Sequence, residues 1–266
     1  MREPVAWQAR RSAIEATRIG PGEPYNSTMI FRFFCPIPLE AGACVALPEA
    51  AAHHAVRVLR LSPGAEVAVF DGHGVACPGV IEAIKPTVDV RLAEPLPADP
   101  APSCRITLVQ ALASGDKMDW VVQKAVELGV HAIVPVAAKR SVLKLDGVRA
   151  AKRIAHWRSV VISACEQCGR NTVPDIADIQ PLGHWLAGAD GGWVLAPAAP
   201  VALRDQPAPG AALSVLVGPE GGWEADELRA MQARGIQAVG LGPRVLRTET
   251  AGLAALAAIQ ALWGDF

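Results

Sequence analysis

Two short segments near the C-terminus carry the residue types a ligand pocket needs: Gly218-Pro219-Glu220-Gly221-Gly222, and Leu241-Gly242-Pro243-Arg244-Val245-Leu246-Arg247-Thr248-Glu249-Thr250-Ala251. Three glycines among five residues let the backbone take positive φ and approach a ligand closely, with N–H and C=O groups available to bond it. The first segment follows the apolar run Leu213 to Val217 and precedes Glu224, Asp226 and Glu227, whose charges suit the positive end of a helix. Open α/β sheets bind ligands at such strand ends. Neither a GxGxxG fingerprint nor a Walker lysine is present, which argues against a dinucleotide or a nucleoside triphosphate. One glycine-rich turn alone is an ordinary strand-to-helix connection. The second segment also lies between a strand-like run and a helix, however, and two such loops on neighbouring strands form one pocket. Within it, Thr248 and Thr250 are N-cap candidates for the final helix, and Arg247 and Glu249 suit an ion pair as well as a chemical role.

Other reactive side chains are sparse. The six cysteines, Cys35, Cys44, Cys77, Cys104, Cys165 and Cys168, follow no secretory signal, so a reduced, cytoplasmic setting is expected. Cys165 and Cys168 form a CxxC without a second ligand pair, and the adjacent His53 and His54 point to different sides of a helix, so no metal is expected. A net charge of −1 gives no global nucleic-acid signal. Between Lys139 and Arg158, however, Lys139, Arg140, Lys144, Arg149, Lys152, Arg153 and Arg158 are opposed only by Asp146. That cluster fits an RNA-facing surface and a solvated helix face equally well. Hydrophobic residues make up 51% of the chain and charged ones 19%, and no uncharged apolar run approaches the roughly 18 residues of a membrane span, so a soluble globular protein is expected.

The elements that must position these residues divide the chain. Residues 1–28 show no apolar period and read as a disordered extension; a targeting peptide, or a start assigned upstream of Met29, are the alternatives. From 29 to 94 short β-type runs (Cys44 to Leu47, Glu66 to Phe70, Gly79 to Ile84, Thr87 to Leu92) are broken by turn signals and by one helix, Ala50 to Leu61, with Arg57 and Arg60 on one face. This pattern predicts a small β-barrel. Pro95, Pro97, Pro100 and Pro102 make 95–103 a stiff linker. From 104 to 266, strand runs (Arg105 to Gln110, Ala132 to Val136, Trp193 to Ala196, Leu213 to Val217, Ala238 to Leu241) alternate with helices (Met118 to Leu128, Val148 to Cys168, Ala225 to Arg234, Ala251 to Trp263). Such alternation predicts an α/β domain around a parallel sheet.

The pair of loops, GPEGG and LGPRVLRTETA, resembles the cofactor signature of the uridine N3-methyltransferases of 16S ribosomal RNA, a branch of the SPOUT superfamily. QALASGDKMDWVVQKAVELGV (Gln110 to Val130), Arg140-Ser141, EQCGR (Glu166 to Arg170), RFF (Arg32 to Phe34) and HHAVRVLRL (His53 to Leu61) extend the likeness from Met29 to the C-terminus. The resemblance implies an N-terminal PUA-like barrel for RNA, a C-terminal α/β domain with a trefoil knot, and a homodimer acting on the small ribosomal subunit. It further implies S-adenosylmethionine held by Leu195, Val217, Gly218, Glu220, Gly221, Gly222, Leu241, Gly242, Leu246, Arg247 and Thr248.

For the transfer, positioning of the two reactants should dominate. A cation beside O2 or O4 of the uracil would stabilise the N3 anion, with Arg247 the first candidate and Arg140 and Arg170 next. Glu166, Glu249 or solvent could take the proton. Arg32, Arg57 and Arg60 of the barrel, with Lys139, Arg140 and Arg153 beyond it, are the expected RNA contacts. Two rivals stand beside this reading: a knotted methyltransferase acting on a ribose 2′-hydroxyl, and a non-catalytic RNA-binding assembly factor.

Overall fold

The computed structural model describes residues 30–99, 101–143, 145–197 and 199–266. The expectations for residues 1–28 and for Lys144 fall outside the described residues. The chain builds two sheets with separate cores. The first contains β1 (Phe31–Phe34), β2 (Cys44–Ala46), β3 (Glu66–Phe70), β4 (Ala76–Ala83) and β5 (Asp89–Leu92), in the order β1-β3-β4-β5-β2. All pairs are antiparallel except β1 with β3. Phe33, Val45, Val67, Val69, Ile81 and Val90 fill its core. Strand β4 starts at Ala76, earlier than the apolar run suggests, because Ala76 pairs with Phe70 across a tight turn. In that turn Asp71 Oδ1 accepts the backbone N–H groups of His73 and Val75 at 2.7 and 3.1 Å. The expected helix Ala50 to Leu61 is shorter and less regular. An α-helix, α1 (Glu49–His53), passes into a π-helical turn over His54–Val58, and Arg60 then takes a φ of 55° to turn the chain out.

The second sheet is parallel throughout. It contains β6 (Arg105–Ala111), β7 (Ala132–Ala137), β8 (Asp175–Ile176), β9 (Gln180–Pro181), β10 (Gly192–Leu195), β11 (Val201–Ala202), β12 (Ala212–Val217) and β13 (Ile236–Gly240). Its order is β11-β13-β10-β12-β6-β7-β8, with β9 also pairing β7. Helices α2 (Lys117–Glu127), α3 (Gly147–Cys168) and α6 (Thr248–Trp263) cover one face over Leu108, Val215 and Val217. The shorter α4 (Leu182–Ala187) and α5 (Ala225–Gln232) cover the other, over Val109, Val136 and Leu216. Strand residues alternate between the faces, so both sides of β6 and β12 are apolar and the sheet is buried on both. Trp157 of α3, fully buried, donates its indole N–H to Asp119 of α2 at 2.8 Å and so fixes how these helices meet.

Because β13 lies between β10 and β11, the β10-to-β11 connection must cross over the C-terminal end of β13. Ala196 N–H donates to the Val239 carbonyl at 3.1 Å beneath that crossing. The chain leaves β13 there and returns as α6 to the face shared with α2. Connections that cross in this way are uncommon in sheets.

The two sheets are docked on each other. Phe70 and Ala76 of the first join the core of the second. Phe34 N–H donates to Glu166 Oε1 of α3 at 3.1 Å. Arg32 donates to Asn171, and its guanidinium lies 5.2 Å from the Phe70 ring centroid. Arg32, an expected RNA contact, is thus turned into the seam between the sheets. Burial lowers its pKa, while Asp99 and other anionic groups oppose that effect. A strand residue's outward or inward direction depends on what docks against that strand, which here is supplied from 139 residues away.

Candidate functional site

The two glycine-bearing loops leave the C-terminal ends of β12 and β13, which flank β10 in the sheet. Gly222 has φ +69° and Gly242 φ +101°, conformations that other residues adopt only with strain. Between the loops lies a cavity of about 540 Å³, within the range typical of small-molecule sites. Its lining includes every expected cofactor residue except one: Leu195, Val217, Gly218, Glu220, Gly222, Leu241, Gly242, Leu246, Arg247 and Thr248. Gly221 is displaced from the lining because it packs on Arg140. A Cβ at Gly221 would lie 3.0 Å from Arg140 Cβ, and the Gly221 carbonyl accepts from Arg140 Nη1 at 3.0 Å.

Thr248 does not cap α6 with its side chain; Arg247 holds the N-cap position. The Thr248 hydroxyl instead donates to the Gly218 carbonyl at 2.5 Å and accepts from Gln110 Nε2 at 3.0 Å. The ends of β6 and β12 and the start of α6 are thereby linked at the pocket floor. Thr250 likewise makes no side-chain cap; its backbone N–H donates to the Arg247 carbonyl at 2.9 Å.

At the rim, Glu220 Oε1 accepts from Ser114 N–H at 3.0 Å, Ser114 Oγ at 2.7 Å and Lys117 Nζ at 2.8 Å. Burial works against ionisation of this carboxyl, but the donors from Lys117 and Ser114 outweigh it and hold the pKa down at about 2. Lys117 Nζ also stands 3.8 Å from Glu249 Oε2, a buried oxygen without a hydrogen-bond partner among the described residues.

The candidate cations are spread over three places. Arg247 is exposed on the pocket rim. Arg140 braces the outside of the first loop, donating from Nε to Glu224 at 2.7 Å. Arg170 is not brought to the pocket. Its Nη1 donates to the carbonyls of Val126 and Val130 at 3.1 and 2.8 Å, fastening the end of α2 to the approach to β7. Lys139 pairs with Asp226, and its backbone N–H donates to Glu227 at 2.9 Å. Arg153 stands 4.0 Å from Asp119, whereas Arg57 of the π-helical turn and Arg60 just beyond it are exposed. Glu166 is likewise away from the pocket, held by Phe34 N–H, with its pKa raised by burial. Cys165 and Cys168 are free thiols on α3, not joined in a disulfide; Cys165 Sγ donates to the Thr172 carbonyl at 3.9 Å, and burial pushes its pKa up to about 12.

Lining residues outside the expected cofactor set include Lys117 and Trp223, as well as Arg244 and Val245 of the second loop. Trp223 had a readable signal, since it directly follows the glycine run; a Cβ at Gly218 would lie 3.1 Å from its indole nitrogen. Lys117 had none, because it lies more than 100 positions before the loops it serves. The walls are largely apolar with few fixed polar groups, which suits a small ligand combining a flat apolar part with charged ends.

Comparison with known proteins gives the same direction. A family model described as an RNA methyltransferase domain matches residues 100–260, and one described as an RNA methyltransferase PUA domain matches 47–92. The protein named ribosomal RNA small subunit methyltransferase E of Mycobacterium bovis is 33% identical, over 84% of this chain and 88% of its own length. The Bacillus subtilis protein of that name is 31% identical over 78% of this chain and 86% of its own. Among solved structures, a Neisseria gonorrhoeae ribosomal RNA small subunit methyltransferase E bound to S-adenosyl methionine is 42% identical. It superimposes with a TM-score of 0.85, covering 90% of this chain and 100% of that one. A putative methyltransferase of Legionella pneumophila with bound SAM is 35% identical at the same TM-score and coverage.

Proposed function

This chain belongs to the RNA methyltransferase family, and on that premise we propose that it transfers a methyl group from S-adenosylmethionine to N3 of a uridine in 16S RNA of the small ribosomal subunit. The observation that carries the reading is the pocket between the two glycine loops. Its volume and apolar walls (Leu195, Val217, Leu241, Leu246) suit a nucleoside, and its exposed loop backbone suits polar substituents.

When bound, S-adenosylmethionine supplies an electrophilic methyl on a sulfonium. The S–CH₃ bond breaks as the N3–CH₃ bond forms, and the imide proton leaves the uracil. Thr248 and Gln110 fix the distance between the loops, and so the placement of the donor. Holding two reactants in line contributes about 7–11 kcal/mol, more than one acid-base group supplies. Arg247, on the rim and without a hydrogen-bonding carboxylate among the described residues, is the candidate to stabilise the N3 anion through O2 or O4. Arg140 supports the first loop from behind, and we assign it a positioning role. Glu249 lines the pocket and Glu166 does not, which favours Glu249 over Glu166 as proton acceptor.

We further assign 29–94 to RNA binding, 95–103 to a linker, and 104–266 to the transferase unit with a trefoil knot, supported by the crossing of the β10–β11 connection over β13. We also propose a homodimer, with the exposed Val142, Val148 and Val245 as candidate contact residues. Among the described residues no helix is long and apolar enough to cross a membrane.

The deciding experiment incubates the protein and S-adenosylmethionine with small-subunit particles and with naked 16S RNA, followed by mass spectrometry of the nucleosides. N3-methyluridine is the expected product. A ribose 2′-O-methyl product would establish the rival acceptor, and binding of RNA without binding of S-adenosylmethionine would establish an assembly factor.

A further inference from the structure

The seam between the two sheets closes on one side chain that the transfer chemistry does not use. Asn171, just past the end of α3 and only 6% exposed, accepts from the Arg32 guanidinium of β1 through Oδ1 and donates from Nδ2 to Asp99 Oδ2 at 3.1 Å. Its carbonyl accepts from Gly74 N–H, in the turn between β3 and β4, at 3.3 Å. The adjoining Thr172 bridges to Gly72 and His73 of the same turn, and Val173 N–H donates to the Gly72 carbonyl at 2.9 Å. The first half of the proline-rich linker is fastened too. Leu96 N–H donates to the Ala76 carbonyl at 2.8 Å, and the Leu96 side chain packs on the core of the second sheet. From the other side, Arg170 donates to the Val126 and Val130 carbonyls at the end of α2, and α2 begins with Lys117 on the pocket rim. Close-packed elements of this kind transmit position with little slack.

We propose that Asn171 is a positioning residue for the methyl transfer: it clasps the first sheet and the linker to the transferase unit, and so sets the span from the RNA-holding face to the donor pocket. The proposal rests on the function given above. RNA gripped at Arg57 and Arg60 brings its target base into line at one span only, because both ends of that span are fixed. A displacement of about 1 Å at the reacting atoms costs up to about 100-fold in rate. The clasp depends on complementary polarity. Arg32 Nε is buried without a hydrogen-bond partner among the described residues, so the guanidinium relies on Asn171 Oδ1 and the Phe70 ring. An amide serves both sides at once, its oxygen toward the cation and its N–H toward the carboxylate of Asp99.

The test measures single-turnover methylation of small-subunit particles below the Tm of each variant, with calorimetric S-adenosylmethionine binding and the Kd for RNA as companions. Asn171→Asp keeps the acceptor for Arg32 but sets a second carboxylate against Asp99, and should slow transfer about 10- to 100-fold. Donor and RNA affinities should stay within about twofold, since neither surface is touched. Adding Asp99→Asn returns an N–H donor opposite the new carboxylate and should restore the rate, which a loss through misfolding would not allow. Asp99→Ala, at an exposed residue outside both cores, should slow transfer in the same way without burdening the fold. An unchanged rate in Asn171→Asp and Asp99→Ala, no recovery in the paired variant, or affinities that fall in step with the rate would each overturn the clasp. An unaltered protein that methylates neither particles nor naked 16S RNA would overturn the function itself, a result distinct from full activity in the variants.

Discussion

The hydroxyl of Thr248 donates to the carbonyl of Gly218 at 2.5 Å, so the first residue of the last helix is bonded directly to the end of strand β12. This bond, with the one from Gln110, sets the width of the pocket floor and gives the side chain a role different from the N-cap its residue type suggests.

Replacing Thr248 with Val removes the donor to Gly218 and the acceptor for Gln110 while keeping the shape. Thr248 is only 7% exposed, so the abandoned carbonyl gains little water, and a cost of about 1–3 kcal/mol is expected. Thermal denaturation should show the lower Tm, calorimetry should show weaker S-adenosylmethionine binding, and Thr248→Ser should restore both. A Thr248→Val protein with unaltered Tm and affinity would mean the bond does not set the floor.

Arg247 begins α6 through its backbone, and its side chain makes no cap. Arg247→Ala should therefore leave the helix and donor affinity intact while kcat falls about 100-fold or more, as for loss of one group stabilising a developing anion. Equal loss in kcat and in donor affinity would instead make Arg247 a binding group.

Glu220 makes stability depend on acid pH. Its folded pKa, about 2, is below the unfolded value near 4.5, so its contribution is complete above pH 4.5 and fades as pH falls toward 2. The shift caps the effect at roughly 3 kcal/mol, and the carboxylate's 27% exposure reduces it further. Melting temperatures from pH 7 to 3 should fall more steeply for the unaltered protein than for Glu220→Gln. Parallel curves would show that the Ser114 and Lys117 bonds contribute little.

The first sheet offers a clean test of RNA binding. Arg60 sits at φ 55°, where glycine is at ease, so Arg60→Gly removes a charge without strain. Together with Arg57→Ala it should reduce the slope of log K against log salt by about 0.7 for each phosphate no longer neutralised. Arg32→Ala should instead lower Tm, because it opens the seam at Asn171 and Phe70. A salt slope unchanged in the Arg57 and Arg60 variants would remove them from the interface.

Much of the parallel domain is legible in the order of the amino acids. Strand β12 and helix α3 differ from their expected bounds by one residue at the N-terminal end, because continuous apolar runs and 3.6-residue periods reflect burial directly. Strands β8, β9 and β11, each of two residues, are too short to express any period. Helix α1 departs from its expected regularity where the π-helical turn accommodates His54 against Phe33, an edge-on contact with ring centroids 6.3 Å apart. At the site, the loops are readable because glycine has local meaning. Arg32, Arg170 and Lys117 are not, since their partners come from distant parts of the chain and a charged side chain does not announce which way it will face.

The crossing at the end of β13 also bears on how the protein is made. Gln110 and Thr248 are 138 positions apart, yet they meet on the pocket floor. During synthesis from the N-terminus, the first sheet and most of the second can be complete while the pocket still lacks its second wall. Donor binding therefore becomes available only with the last strand and helix, and such long-range closure is slow. A nascent chain, or one truncated before Leu241, would present the first sheet without the second wall of the pocket.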